Sequence, residues 1–79
     1  MLKKQDNSSM GSKFSERLKN LRQEKGMLQK DLAKLLNVSR STIADWECRG
    51  HEPSYALLME IAKIFGISID YLLGMVDEI

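Results

Sequence analysis

The feature that most restricts the fold of this chain is a repeated alternation between short apolar stripes and residues that start or stop helices. From Phe14 onward, apolar side chains recur every three or four residues, and no stretch alternates with the period of two that a strand requires. Residues that tolerate a left-handed backbone follow three of the stripes: Gly26, Asn37 and Gly66. Serines suited to capping a helix precede three of them: Ser39, Ser54 and Ser68. The pattern predicts five short helices with short connections, packed into one compact all-α bundle.

Size and residue types exclude several kinds of protein. The chain has 79 residues, enough for one small domain, and no apolar run near the roughly 18 residues that span a bilayer. The chain has one cysteine, Cys48, and one histidine, His51. The sequence therefore predicts no internal disulfide, no metal site, no cofactor and no catalytic residue. Neither a glycine-rich phosphate loop nor a nucleophile triad is present, so we predict that the chain is not an enzyme. A polar beginning without a signal peptide indicates a reducing, cytoplasmic compartment.

Charge is distributed unevenly along the chain, although the net charge is only +1. Residues 1–50 hold 11 Lys and Arg against 6 Asp and Glu, whereas residues 51–79 hold one Lys against 5 Asp and Glu. Such polarity can steer one face of a protein toward a polyanion, and it can equally arise by chance on a solvated surface. Both interpretations stay open at this point.

The third predicted helix has two chemically different sides. Ile43 and Trp46 fall on one side, with Thr42 beside them, and are expected to pack on Leu32 and Leu35 of the second helix. Residues with guanidinium, hydroxyl, methyl and carboxylate groups fall on the other side: Arg40, Ser41, Ala44 and Asp45. These groups suit the reading of base edges in a groove of DNA.

The second and third helices are joined by only a short turn, which requires them to approach closely. Ala33 lies on the side that faces the third helix, where its small side chain permits that approach. Gln29 lies in the first turn of the second helix, where its amide and the free backbone N–H groups are suited to hold a phosphate.

Three stretches together resemble the lambda-repressor/Cro-like (XRE) helix-turn-helix family: FSERLKNLRQEKGMLQKDLAKLLNVSRSTIADWE, P-S-x-x-x-L-x-x-I-A-K-x-F-G-I-S and D-Y-L-L-G. The resemblance covers about residues 14–74 and implies a five-helix DNA-binding domain whose third helix lies in the major groove. It implies base contacts at Arg40, Ser41 and Asp45, and at Thr42 a contact with either a base or the DNA backbone. Candidates for phosphate contacts are two matched positions and two further cations: Gln29, Ser39, Lys30 and Arg49. It also implies a salt bridge between Arg22 of the first helix and Glu47 near the end of the third.

Two residues depart from the family pattern, and one matched position has a second explanation. Leu28 stands where the family usually has a Ser or Thr that caps the second helix. Arg49 stands where it usually has Gly, and Gly50 follows, so either Arg49 takes a positive φ or the turn closes differently. Asp45 can pair with Arg49 four residues later as readily as it can contact a base.

The sequence as a whole predicts a sequence-specific regulator of transcription, a repressor of prokaryotic or phage type, that binds a two-fold site on double-stranded DNA as a homodimer. We expect a flexible N-terminal tail over residues 1–13, the helix-turn-helix domain over 14–74 and a candidate dimer contact over 75–79. Apolar residues that suit a dimer surface, or equally the domain's own core, are Ile69, Met75, Val76 and Ile79. Two alternatives stay open: an antitoxin-type module that binds a protein through acidic residues 51–79, and a DNA-binding fragment of a larger repressor.

Overall fold

The computed structural model describes residues 13–78, which form five helices and no strand. The helices, here α1 to α5, are Lys13–Glu24, Gln29–Leu36, Arg40–Cys48, Tyr55–Phe65 and Ile69–Leu72. The all-α prediction with five short helices is therefore confirmed. Lys13, which the sequence placed in the tail, is the first residue of α1, and the rest of the expected tail lies outside the described residues, as does Ile79.

Local chemistry sets the helix ends where the sequence predicted them. Left-handed backbone ends α1, α2 and α4 at Gly26 (φ 68°), Asn37 (φ 60°) and Gly66 (φ 65°). Three helices, α3, α4 and α5, begin with a serine cap. The hydroxyl of each serine accepts a hydrogen bond from the backbone N–H three residues later, and the serines are Ser39, Ser54 and Ser68. Asn37 is the one residue other than glycine with positive φ among residues 13–78, and its short polar side chain tolerates that conformation.

The start of α2 lacks the side-chain cap that begins α3, α4 and α5. Leu28 occupies the N-cap position with extended backbone and has no side-chain acceptor to offer. Asp31 supplies half of a capping box, because its carboxylate accepts the N–H of Leu28 at 2.8 Å. The backbone N–H groups of the first turn of α2 therefore lack the hydroxyl that the resemblance led us to expect at this position.

Replacing Leu28 by serine is expected to raise the free energy of unfolding by about 1 kcal/mol, because the hydroxyl supplies the missing N-cap acceptor. Leu28 is 58% exposed, so little packing is lost with its side chain. Denaturant unfolding followed by the fluorescence of Trp46 measures the change. The matched control Leu28→Ala removes the same side chain without adding an acceptor, and an equal gain in both variants would contradict the capping explanation.

The core gathers one side of each helix. Five side chains have no exposed surface, one from each helix: Leu18, Leu32, Ile43, Ile61 and Leu72. Trp46 is buried as predicted and meets the ring of Phe14 edge to face, with centroids 6.5 Å apart. Ser15, also buried, donates its hydroxyl to the carbonyl of Trp46 and so ties α1 to α3.

The expected packing of Leu35 against α3 is wrong. Leu35 is 60% exposed, whereas Leu32, Ala33 and Leu36 of the same helix are buried. At about 100° per residue, those three span an arc of roughly 100°, and Leu35 lies outside that arc. Ala33 lies toward the turn, where its carbonyl accepts the N–H of Val38 at 2.9 Å, and this small residue allows α2 and α3 to meet closely.

Arg17 attaches the C-terminal segment, residues 73–78, to α1. Its guanidinium donates to the carbonyls of Tyr71 at 2.5 Å and Val76 at 2.6 Å and to the carboxylate of Asp77 at 2.9 Å. It also lies 4.1 Å from the centre of the Tyr71 ring. Because α5 ends at Leu72, Val76 lies beyond the last helix.

Candidate nucleic-acid interface

The N-terminal half of α3 presents polar side chains on one side and is anchored in the core on the other. Arg40 and Ser41 are exposed in the first turn, and Ala44 and Asp45 are partly exposed one turn later. Ile43, on the opposite side, is fully buried. The structure thus offers an outward row of guanidinium, hydroxyl, methyl and carboxylate groups on a helix whose rotation is fixed by the core.

Three hydroxyl groups cluster at the beginning of α3. The Oγ of Ser39 accepts the backbone N–H of Thr42 at 3.1 Å. It also lies within hydrogen-bond distance of the Ser41 Oγ, at 3.0 Å, and of the Thr42 Oγ1, at 2.8 Å. The structure therefore brings the phosphate candidate Ser39 together with the base candidates Ser41 and Thr42. Only the hydroxyl protons and lone pairs that these hydrogen bonds do not use are available to a ligand.

A continuous chain of hydrogen bonds connects Arg40 to the interior. Arg40 donates to the Gln29 Oε1 at 3.1 Å, and the Gln29 Nε2 donates to the Glu47 Oε1 at 3.1 Å. Arg22 donates to both carboxylate oxygens of Glu47, and its third nitrogen donates to the Met27 carbonyl at 2.7 Å. The resemblance paired Arg22 with Glu47, and the sequence singled out Gln29 and Arg40 separately, but it gave no sign that Gln29 would connect Arg40 to that pair.

The Arg22–Glu47 pair joins α1 to α3 in a buried, two-bond geometry. The Arg22 Nε and Nη2 lie 2.7 and 3.0 Å from the two carboxylate oxygens, and the two side chains are 9% and 0% exposed. The hydrogen bond and the charge of Glu47 raise the pKa of Arg22 above its usual range, against the opposing effect of burial. The guanidinium therefore stays charged, and its planar fork fixes how α3 is oriented on α1.

Asp45 lies near two nitrogen-bearing side chains at the end of α3, Arg49 and His51. Its carboxylate lies 3.6 Å from the Arg49 Nε and 3.8 Å from the His51 Nδ1. In the structure, Asp45 thus forms the ion pair with Arg49, four residues later, that the sequence offered as the alternative to a base contact. Arg49 keeps a negative φ of −114°, and the left-handed residue is Gly50, at 73°. The turn after α3 therefore closes one residue later than the family pattern implies.

A shallow groove of about 490 Å³ runs along the junction of α2 and α3. Six residues line it: Lys30, Asp31, Ala33, Lys34, Val38 and Arg40. Lys34 is an exposed cation that the sequence reasoning overlooked, although it stands one helical turn after Lys30, which was among the phosphate candidates. The groove places three cations beside the outward row of α3 against one acid, and a phosphate backbone is a ligand that matches this charge.

Residues 13–78 hold no group of three or more His, Cys, Asp or Glu that could bind a metal ion. Within the same range, none of the helices is both long enough and apolar enough to cross a membrane. Cys48 is exposed and forms no disulfide.

Sequence comparison relates this chain to known regulators. Residues 18–72 match the model of the helix-turn-helix family. The uncharacterized HTH-type transcriptional regulator YqaE of Bacillus subtilis is 38% identical over 60 residues, which cover 76% of this chain and 52% of YqaE. The chain spans about half the length of YqaE and of another curated relative that it matches.

Comparison with solved structures agrees with the sequence. The P22 c2 repressor, in complex with a synthetic operator, matches with a TM-score of 0.72 at 30% identity, over 84% of this chain and 96% of that one. Hydroxypropylphosphonic acid epoxidase from S. wedmorenis matches with a TM-score of 0.71 at 34% identity, over 85% of this chain but only 36% of the enzyme. The likeness to the repressor over most of both chains confirms the predicted fold class, a five-helix bundle of the lambda-repressor type.

Proposed function

This chain belongs to the helix-turn-helix family, and we propose that it is a sequence-specific regulator of transcription that binds double-stranded DNA with α3 in the major groove. The observation that carries the proposal is the exposure of Arg40 and Ser41 at the N-terminal end of a helix whose opposite side is held in the core. Helix-turn-helix proteins place this end of their recognition helix against base edges. The similarity to a repressor solved in complex with a synthetic operator and to an HTH-type transcriptional regulator supports the same function.

Each candidate residue then has a role on the duplex. Base contacts come from the outward side and the cap of α3: Arg40, Ser41, Thr42 and Asp45. Phosphate contacts come from the residues around them: Gln29, Ser39, Lys30, Arg49 and, as an addition from the groove, Lys34. The Asp45–Arg49 pair is solvent-exposed, and opening such a pair costs at most about 1 kcal/mol, so Arg49 is free to turn to a phosphate when DNA binds.

We further propose that the protein is a repressor that acts as a homodimer on a two-fold operator in the cytoplasm, by occupying DNA and not by catalysis. The half-site centres would lie about one helical turn, roughly 34 Å, apart. Residues 75–78 are the proposed dimer contact, because Met75 and Val76 are exposed apolar side chains at the end of the described chain. Ile69 is half-buried and would lie at the edge of such a contact.

The decisive experiment is selection of bound duplexes from a random pool, followed by anisotropy titrations of the selected duplexes at two salt concentrations. We expect a two-fold consensus that is bound far more tightly than random duplex. Weak binding with a steep salt dependence and no consensus would contradict sequence-specific recognition. Binding to a co-purified protein through residues 51–79, without DNA recognition, would favour the antitoxin-type module instead.

Replacing Arg40 by alanine is expected to weaken binding to the selected operator by about 1–3 kcal/mol and to relax specificity at one base pair, because a guanidinium that binds a guanine in two places discriminates by that amount. Titrations against operators altered one base pair at a time locate the position. The control Lys30→Ala should weaken binding about equally for all sequences and reduce the salt dependence. A uniform loss in Arg40→Ala would make Arg40 a phosphate ligand.

A further inference from the structure

The C-terminal segment contains no helix, and its far end is held by α1. Its near end is still bonded to α5, because the N–H of Met75 donates to a carbonyl of that helix at 2.8 Å. Beyond this point, the hydrogen bonds of the segment within the described chain are the two that Arg17 donates, to the Val76 carbonyl at 2.6 Å and to the Asp77 carboxylate at 2.9 Å. One side chain of α1 therefore determines where the end of the segment lies.

Arg17 suits this role because its guanidinium is anchored at several points. It also donates to the Tyr71 carbonyl at 2.5 Å and lies 4.1 Å from the centre of the Tyr71 ring. The Arg17 side chain is only 11% exposed, so water competes little for these contacts. A guanidinium is planar and presents its N–H groups in fixed directions. Because three acceptors bind it at once, the C-terminal segment is fixed relative to both α1 and α5.

Gly74 allows the same segment to lie against the first turn of α1. Its backbone has a φ of 83°, a conformation that side chains with a Cβ rarely adopt. A methyl group at this position would also overlap the Cβ and Cγ of Lys13. The segment is therefore fitted to α1 at two independent places, by a close backbone approach at Gly74 and by the guanidinium of Arg17.

The apolar side chains between these two places are the ones proposed to meet a second copy. Met75 is 74% exposed and Val76 is 42% exposed, and they lie between Gly74 and Asp77. A flexible segment loses backbone and side-chain entropy when a partner orders it, whereas a segment already held in place loses less. Holding the C-terminal segment against α1 thus favours formation of the dimer contact.

We infer that Arg17 and Gly74 are positioning residues for the dimer contact: they hold the C-terminal segment against α1 so that Met75 and Val76 are in place before a second copy binds. The inference rests on the proposed function, since it requires a homodimer whose contact lies at the C-terminal segment. Neither positioning residue is a candidate for contact with DNA, so both should affect operator binding only through the dimer.

The first test replaces Arg17 by methionine, which keeps much of the length of the side chain but removes all three hydrogen bonds. Sedimentation equilibrium measures the dimer dissociation constant, which we expect to rise about tenfold: about threefold for each segment, counted twice because a two-fold contact contains both copies. Amide hydrogen exchange in residues 75–78 should become faster. The matched control Lys19→Met removes an exposed cation from the same helix and should leave both measurements unaltered.

A second variant displaces the C-terminal segment without changing Arg17. Gly74→Ala introduces the overlap with Lys13, and we expect the dimer dissociation constant to rise by a similar factor. Gly74 lies outside the core, so this variant tests the inference even where Arg17→Met fails to fold. The matched control Gly26→Ala has the same left-handed backbone, with φ 68°, but nothing lies within 4 Å of its new methyl group. It should leave dimerisation unaltered at a temperature where thermal unfolding shows that all variants are folded.

Titrations with DNA separate positioning from general damage to the domain. A duplex with a single half-site binds one copy, so the affinities of Arg17→Met and Gly74→Ala for it should stay within about twofold of wild type. Their affinity for the full two-fold operator should fall, because binding there includes the dimer contact. An equal loss on the half-site and on the full operator would overturn the inference, since the changes would then damage the DNA-binding surface itself.

Two further results would overturn the inference while leaving the proposed function standing. Unaltered hydrogen exchange in Arg17→Met would show that Arg17 does not hold the C-terminal segment. Faster exchange without a change in the dimer dissociation constant would show that the dimer does not depend on an ordered segment. Failure of the proposed function has a different signature, because the wild-type protein itself would then stay monomeric and select no two-fold consensus.

Discussion

Replacing Glu47 by alanine is expected to lower the free energy of unfolding by about 3–5 kcal/mol, because Arg22 would be left as a buried charge without its partner. Both oxygens of the Glu47 carboxylate accept hydrogen bonds from Arg22, and the Glu47 side chain has no contact with water. A domain of this length has a total stability of roughly 4–12 kcal/mol, so the change removes a large part of it. Denaturant unfolding followed by Trp46 fluorescence is the measurement.

Two further variants distinguish a buried pair from an ordinary charge on the same helix. Asp45→Ala removes the exposed partner of Arg49 and should cost at most about 1 kcal/mol. The double variant Arg22→Met with Glu47→Leu removes both buried charges and should recover at least half of the loss, because neither charge is then left alone. A loss in Glu47→Ala no larger than that in Asp45→Ala would mean that water reaches the pair in solution.

Helix boundaries were predictable because the signals that set them are local. A serine hydroxyl reaches a backbone N–H only three residues away, and this is what Ser39 and Ser54 do. Asn37 adopts the left-handed conformation that its residue type permits within the turn that contains it. Where two local signals stood next to each other, as at Arg49 and Gly50, the sequence left the choice open, and the backbone places the positive φ at the glycine.

Contacts between distant segments were predictable only where the family resemblance supplied them. The Arg22–Glu47 pair, separated by 25 residues, was implied by the resemblance and is present in the structure. Arg17 had no such pointer: its partners lie 54 to 60 residues away, and no periodicity connects a guanidinium in α1 with acceptors in α5 and in residues 73–78. The hydrogen bond between Arg40 and Gln29 was not predicted either, because the resemblance indicates only what these two residues contact on DNA.

The error at Leu35 has a different origin. An apolar stripe on a helix is wider than the surface that a neighbouring helix covers, and the sequence does not say which edge of the stripe is left out. In α2 the covered part runs through Leu32, Ala33 and Leu36, which are the buried residues of that helix. Leu35 therefore remains exposed, as does the N-cap residue Leu28 seven positions earlier.

Replacing Leu32 by alanine is expected to lower the free energy of unfolding by about 2–5 kcal/mol, because a fully buried leucine leaves a cavity that the surroundings fill only in part. The same substitution three residues later, Leu35→Ala, should change it by no more than about 0.5 kcal/mol, since that side chain is mostly in water. Both variants replace a leucine by an alanine in the same helix, so the change in helix propensity contributes equally to the two results. Denaturant unfolding followed by Trp46 fluorescence compares them directly.

The variants Leu32→Ala and Leu35→Ala should also differ in DNA binding. Leu32 and Ile43 have no exposed surface in the two helices that carry the interface, so a cavity at Leu32 loosens the support of the reading helix. We therefore expect Leu32→Ala, at a temperature where it is still folded, to bind the operator more weakly than Leu35→Ala does. A loss of stability in Leu35→Ala as large as that in Leu32→Ala would contradict the placement of α2, because it would require Leu35 to be buried in solution. In that case α2 would be rotated about its axis, and different side chains of α2 would face the DNA.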